Sequence, residues 1–379
     1  MDSIAQPNNK NLGIVAFPSS GPNNTLCQLI ELLAPLSNKI HVITGNEISN
    51  YLKNPGVSSH CLDHNRGKNV FSKVFNYFLS HMKMSLYFFQ VARKYDVWIF
   101  LRSETLLLPI IISYLLGKKP LLILGGSAEE YKLNTNLNKI DALILTIFRK
   151  ISFQFASIMV VYSPILIKKW DLSSYEKKIL VAHRHFIRIN DNINHQNLSE
   201  REKIIGYIGR LSKEKGVMNF VKAIPDVLKS CDVKFIICGD GPLLDEIKDY
   251  IRRHNLENDV LLSGWISHDE INKYLEKLKL LVLPSYTEGL PNIVLESMAC
   301  GTPVLATPVG AIPDLIDEGK TGFIMNNNSH ECIVKNITRV LQYKSTEMIT
   351  QNAFNLIKSK YSYESTVGNW QKVLGEIYG

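Results

Sequence analysis

Between His64 and Tyr95 the sequence contains no acidic residue, although Arg66, Lys68, Lys73, Lys83, Arg93 and Lys94 all fall there. A merely solvated surface usually mixes both signs, so the missing acids point to an anionic partner. Long apolar runs are absent too. Leu106–Leu116 comes nearest, is followed by Lys118-Lys119-Pro120, and falls short of the roughly 18 residues that cross a bilayer. That excludes a membrane-spanning chain. Residues 1–12 are polar, which argues against a secretory signal and for a cytoplasmic chain, peripheral attachment to the inner face of the cell membrane staying open. The six cysteines (Cys27, Cys61, Cys231, Cys238, Cys300 and Cys332) show neither paired nor metal-like spacing. Cys238 and Cys300 lie in apolar runs and read as buried thiols of a reducing compartment. His183 and His185 lack a third ligand, so a turn pair is the simpler reading and no metal site is expected. Gly239-Asp240-Gly241 lacks the third glycine of a dinucleotide fingerprint, which argues against a nicotinamide cofactor. Neither a cofactor nor a nucleic-acid partner is expected.

What the chain does contain is ordinary globular material, unevenly charged. Its 379 residues are 45% hydrophobic and 21% charged, enough for two domains with separate cores. Residues 1–195 hold 22 Lys and Arg against 12 Asp and Glu, and the remainder holds 21 against 23. The whole basic excess therefore lies in the first half.

Strands and helices alternate along the chain, which predicts doubly wound α/β domains. Asn11–Phe17 and Lys39–Thr44 open the series as strands. The loop Pro18–Asn24 between them carries Ser19, Ser20 and Gly21, small residues where a backbone can approach a ligand; a plain strand-to-helix connection is the alternative. Phe71, Phe75, Phe78, Met82, Leu86 and Phe89 recur at helical spacing, which predicts an amphipathic helix over Phe71–Lys94. An apolar stripe ordinarily faces the core, and that is the expectation here. The acid-free composition supports the alternative of a helix resting on an anionic lipid surface. Strands at Asp96–Leu101 and Leu121–Leu124 follow, the second ending in Gly125-Gly126-Ser127-Ala128-Glu129-Glu130. Asn190–Glu200 is polar and unpatterned and reads as the linker, dividing a domain over 1–193 from one over 199–361, with residues 362–379 as a final helix.

The stretch Leu281–Ile316, LVLPSYTEGLPNIVLESMACGTPVLATPVGAIPDLI, organises the second half. A buried strand ends at Pro284, a turn runs to Leu290, and a helix starts near Pro291 and closes at Gly301. A second strand, Val304–Ala306, completes a βαβ unit, and ligands bind such units at the carboxyl ends of their strands. Glu288 and Glu296, with seven residues between them, can face one ligand at different depths. The turn amides and the helix N-terminus can take a negative group between them. Upstream, strand Lys203–Ile208 leads into Gly209-Arg210 and Glu214-Lys215-Gly216. There glycines allow a close bend while Arg210 and Lys215 offer two charges to a phosphate.

Glu288-GLPNIVL-Glu296, the MACGTPVLATPVG that follows, and the Gly209-Arg210…Glu214-Lys215-Gly216 turn together resemble the retaining glycosyltransferases of family 4 (group 1). The resemblance covers the whole second half and is weaker in the first. It implies the GT-B fold, two Rossmann-like domains facing a cleft with the last helix crossing back, and a metal-independent transfer of a hexosyl group from a nucleoside-diphosphate sugar. The absence of any Asp-x-Asp pair fits that. By resemblance Arg210 and Lys215 hold the diphosphate, Glu288 meets the donor sugar and Glu296 the ribose. Gly289, Leu290, Pro291 and Asn292 orient sugar and diphosphate, Gly264 and Trp265 border the base, and Gly209 and Gly21 approach the donor. Relatives often carry a histidine near Gly125–Glu130, and this chain has none, leaving Ser127 and Glu129 as candidate polar contacts. The implied acceptor is a glycan or a lipid-linked sugar, reached at an anionic membrane through Phe71–Lys94. A GT-B sugar-nucleotide epimerase and a non-catalytic binding protein are the alternative readings.

Overall fold

The computed structural model describes residues 10–16, 24–45, 56–62, 70–101, 106–125, 139–189 and 198–378. The chain divides into two compact units, Met1–Arg184 with Thr366–Gly379, and His185–Ser365. Of the polar linker, Leu198–Glu200 is a single helical turn, and residues 190–197 lie outside the described residues.

Among the described residues the first unit is built on seven parallel strands. These are β1 (Asn11–Ala16), β2 (Lys39–Thr44), β3 (Val57–Cys61), β4 (Val97–Leu101), β5 (Lys119–Ile123), β6 (Ile158–Val161) and β7 (Ile179–Val181). Their order is β3-β2-β1-β4-β5-β6-β7. The central strands are apolar almost throughout because helices cover a parallel sheet on both faces; β4, VWIFL, is buried at every position. Strand β3 has no counterpart in the sequence reading. Its residues, VSSHC, lie half-exposed at the sheet edge, so neither alternation nor an apolar run marks it, and only its pairing to β2 makes it a strand.

The helix Val70–Val91 corrects the expectation that its apolar stripe is core. Phe78, Leu86 and Phe89 are 61%, 63% and 57% exposed, whereas Met84, Phe88 and Val91 are buried beside Ser80, His81 and Ser85. Phe88 packs edge-on against Trp98 of β4, with ring centroids 4.6 Å apart. Helical spacing alone could not choose between the two apolar faces. The face that meets the sheet is the one whose small polar residues allow close approach, and Ser85 returns its hydroxyl to the His81 carbonyl at 2.7 Å.

The second unit carries β8 (Ile204–Ile208), β9 (Lys234–Cys238), β10 (Val260–Gly264), β11 (Leu280–Leu283), β12 (Val304–Ala306) and β13 (Phe323–Ile324). All are parallel, in the order β10-β9-β8-β11-β12-β13. The direction of winding reverses between β8 and β11, which are hydrogen-bonded neighbours. The connections leave the carboxyl ends of those two strands in opposite directions and open a crevice there. The helix Val217–Leu228 buries Val217, Phe220, Val221, Ile224 and Val227, a one-sided helical repeat. Phe220 meets Phe235 of β9 edge-on at 5.9 Å.

The last helix, Tyr363–Tyr378, belongs from Thr366 onward to the first unit. Trp370 is fully buried and its indole N–H donates to the His183 carbonyl at 2.9 Å. His183 and His185 are themselves buried, and among the described residues no cluster of His, Cys, Asp or Glu is placed to hold a metal. Trp370→Ala should cost about 3–5 kcal/mol through the cavity left behind. Trp370→Phe, which keeps most of the ring but gives up the donated bond, should cost about 1–3 kcal/mol. Urea unfolding followed through the first unit checks this; a Trp370→Phe variant as stable as the parent would mean that the hydrogen bond contributes nothing.

Candidate functional site

Two loops meet at the switch point of the second sheet, one leaving β8 and the other leaving β11. The first loop, Gly209–Gly216, is held by its own polar groups. The Tyr207 hydroxyl donates to the Arg210 carbonyl at 2.8 Å. Burial, with Glu288 and Glu214 nearby, raises that phenol far above its ordinary range, so it remains a donor. Ser212 donates to Glu214 Oε1 at 2.6 Å. Burial alone would raise the Glu214 carboxyl, but the Ser212 hydroxyl, a backbone amide and the charges of Arg210 and Lys215 hold it below the usual range. Gly216 ends the loop in the left-handed region at φ 65°. A Cβ there would lie 2.0 Å from the Pro284 carbonyl oxygen, so only glycine lets the two loops touch.

The second loop carries Glu288. Its carboxylate accepts from Lys215 Nζ at 2.8 Å on each oxygen and from the Ser285 hydroxyl at 2.7 Å on Oε1. The Glu288 side chain is 6% exposed against 28% for Lys215, so the acid lies deeper and the ammonium sits nearer to solvent. The loop is braced from behind. Thr307 donates to the Ser285 carbonyl at 2.5 Å, Asn328 to the Pro284 carbonyl at 2.9 Å, and Asn219 to the Tyr286 hydroxyl at 2.9 Å. Gly310, at φ 57°, passes so close that a Cβ would lie 2.0 Å from the Glu288 carbonyl oxygen. The amide of Ala311 then donates to the Gly289 carbonyl at 2.8 Å.

Beyond Glu288 the chain passes through Gly289, Leu290 and Pro291 into the helix Asn292–Ala299. Leu290 is buried, while Gly289 and Asn292 are partly exposed. Among the described residues no side chain caps this N-terminus, so its first amides are available to an anion. Glu296 is buried and lies 3.8 Å from His268 Nδ1. Burial raises its carboxyl above the ordinary range, opposed by His268. His268 starts the helix after β10, three residues past Trp265, whose ring is 74% exposed. Gly264, at the end of β10, accepts from the Gly239 amide at 2.7 Å.

The other end of the Glu296 helix is pinned by Arg201, which has no signature in the sequence. Arg201 is buried. Its guanidinium donates to the Cys300 carbonyl at 2.9 Å, the Leu278 carbonyl at 3.1 Å and the Thr302 hydroxyl at 2.7 Å. A cation at helix carboxyl ends satisfies orphan carbonyls and favours the helix dipole.

Of the residues singled out in the sequence, the structure brings together Lys215 and Glu288, with Gly209 and Arg210 on the same loop as Lys215. Arg210 is exposed, and its guanidinium makes no hydrogen bond or ion pair with a described residue. Glu296 meets His268, which follows Gly264 and Trp265 in the chain by four and three residues. Gly21, Ser127 and Glu129 lie outside the described residues. Sequence reasoning missed Ser285, Ser212, Thr307, Arg201 and His268. For Ser285 alone there was a signal, a hydroxyl three residues before the acid on the same turn.

Residues 189–356 match the family of glycosyl transferases, group 1. An uncharacterised glycosyltransferase of Methanocaldococcus jannaschii is 28% identical over 227 residues, 59% of this chain and 55% of the relative. The 2-deoxystreptamine N-acetyl-D-glucosaminyltransferase of Niallia circulans is 26% identical over 223 residues, 55% of this chain and 56% of the relative. The chain thus spans about half the length of the curated relatives it matches. Anabaena HepE in complex with UDP and glucose superposes with a TM-score of 0.74 at 18% identity, covering 97% of this chain and 100% of that one. The fold is GT-B. No helix among the described residues is long and apolar enough to cross a membrane.

The raised carboxyl of Glu296 gives a stability prediction with a definite sign. Its neutral form favours the folded state, so that contribution is present below the ordinary carboxyl range and is lost as pH rises through the raised value. Glu296→Gln keeps the shape without the charge. It should therefore melt higher than the parent near about pH 8, with the gap closing toward about pH 4. Thermal unfolding across that range checks it; a parent that melts higher at the alkaline end would contradict the assignment.

Proposed function

We propose that the chain is a retaining glycosyltransferase of the family 4 type, moving a hexosyl group from a nucleoside-diphosphate sugar to a hydroxyl of a glycan or lipid-linked acceptor. The observation that carries this reading is the Lys215–Glu288 pair, doubly bonded and braced by Ser285, at the sheet's switch point, with the exposed Arg210 on the same loop as Lys215. A paired acid and base, with a cation on the same loop that has no partner among the described residues, suit a ligand that joins polyhydroxyl and dianion. The family match over 189–356 and the UDP and glucose held by HepE support a nucleotide-sugar donor.

In this reading the diphosphate lies against Arg210, Lys215 and the amides at the start of the Asn292–Ala299 helix. Glu288 accepts hydrogen bonds from the donor sugar and Glu296 from the ribose. The base lies along Gly264 and Trp265. The acceptor hydroxyl oxygen bonds to the anomeric carbon on the face from which the diphosphate leaves, the bond from that carbon to the diphosphate oxygen breaking and the hydroxyl proton passing to the departing diphosphate. Negative charge grows on the leaving phosphate as the sugar becomes oxocarbenium-like, and preorganised cations stabilise that charge more than they stabilise the bound donor. Arg210 and Lys215 do the work that a metal ion does in other transferases, and the lack of any Asp-x-Asp pair supports that division. Ser285 keeps Glu288 aimed when Lys215 turns to the phosphate.

Each charge-assisted contact is worth about 1.5–3 kcal/mol, so Arg210→Ala or Lys215→Ala should lower turnover by about tenfold or more with the fold intact. Turnover is measured after a screen of UDP-, GDP- and ADP-sugars by thermal shift. Unchanged kinetics in both variants would remove the diphosphate assignment. Product formed from donor alone, without acceptor, would mark an epimerase instead.

The two acids should separate in calorimetry with the bare nucleoside diphosphate. Glu296→Gln should weaken that binding, while Glu288→Gln should leave it nearly intact and reduce transfer. Equal losses in both variants would mean that ribose and sugar are not divided between them.

A further inference from the structure

The first unit leaves its large apolar side chains in water mostly in one place. Among the described residues, 11 of the 17 exposed large hydrophobic side chains lie on three helices, Val70–Val91, Leu107–Leu115 and Lys139–Phe155. The Leu107–Leu115 helix packs against both of the others, so the three make one continuous surface. On the first of them Phe78, Met82, Leu86 and Phe89 follow one another at helical spacing, all exposed. Leu115 is 74% exposed, and Leu143 and Ile147 continue the surface on the third helix at 61% and 47%. Contiguous apolar surface of this kind marks a binding face.

Charge narrows what binds. By sequence the three helices hold Lys73, Lys83, Lys139 and Lys150, besides Arg149, which is buried, against the single acid Asp141. Lys83, Lys150, and Arg93 and Lys94 just past the first helix are exposed. A soluble acidic glycan would answer the charges but has nothing to cover Leu86 or Leu115. A second copy of this face would cover the leucines but set like charges against each other. An anionic bilayer takes both, with apolar side chains entering the headgroup boundary and basic ones meeting the phosphates.

We propose that this three-helix face docks on an anionic lipid surface, so that the acceptor is lipid-linked. The acceptor half rests on the transferase reading; the docking half does not. The test is sedimentation of the full chain with vesicles of phosphatidylcholine alone and of phosphatidylcholine with about a third phosphatidylglycerol. Binding to the anionic vesicles should exceed binding to the neutral ones by about tenfold or more at low salt. It should fall as salt rises, because screening acts over about 10 Å at 0.1 M. Leu86→Ser with Phe89→Ser should weaken it by about tenfold or more, without change in melting temperature, since both side chains are already in water. Lys83→Gln and Lys94→Gln should each weaken it by about fivefold. No vesicle binding, equal binding to both vesicles, or a dimer abolished by Leu86→Ser with Phe89→Ser would each overturn the docking. None of those outcomes changes the thermal shift with nucleotide sugars, whose absence would instead sink the transferase reading and leave the docking standing.

Discussion

The site depends on a single close approach, the backbone of Gly216 against the carbonyl of Pro284. A side chain at 216 would come within 2.0 Å of that oxygen, so the loops after β8 and β11 touch only because glycine stands there in the left-handed region. This contact sets the reach of Lys215 to Glu288. Lysine is a flexible point charge, and here its direction comes from its neighbour in the chain being pressed against the opposite loop. Asn328 and Thr307 then hold the same loop from behind, and the acid receives Ser285 as a second partner.

Two acids eight positions apart live in different electrostatic surroundings. Glu288 is matched by an ammonium and a hydroxyl. Glu296 is buried with, among the described residues, only a distant imidazole, and its carboxyl is correspondingly raised. A buried carboxylate without full compensation costs stability, and helix Asn292–Ala299 carries that cost where apolar residues would not. Natural proteins accept such local costs mainly where a ligand later supplies the missing partners. Arg201, buried at the far end of the same helix, fixes where Glu296 stands.

The first unit shows the complementary situation, an apolar excess placed outside. Its longest described helix turns serines, a histidine and a few apolar residues to the sheet and leaves phenylalanines and leucines in water. A helix designed only for solubility would have the reverse arrangement. Burial in the core is therefore not what those side chains are for, and their companions on two neighbouring helices share the condition.

Much of this was legible in the residues alone. Alternating apolar runs and helical repeats foretold two parallel-sheet α/β units, because strands buried on both faces must be apolar and the covering helices one-sided. The unit of Glu288 and Glu296, with the Gly209–Gly216 turn, could be recognised because residue type and spacing both recur within short segments. Three things waited for the tertiary structure. Strand β3 is made only by its partner, since its own residues carry no period. The choice between two apolar faces on the Val70–Val91 helix was settled by what packs against it, since periodicity finds a face but not the neighbour. Thr307 and Arg201 act through contacts made across 22 to 101 residues of sequence, a distance over which no local pattern carries information and only folding brings donor to acceptor.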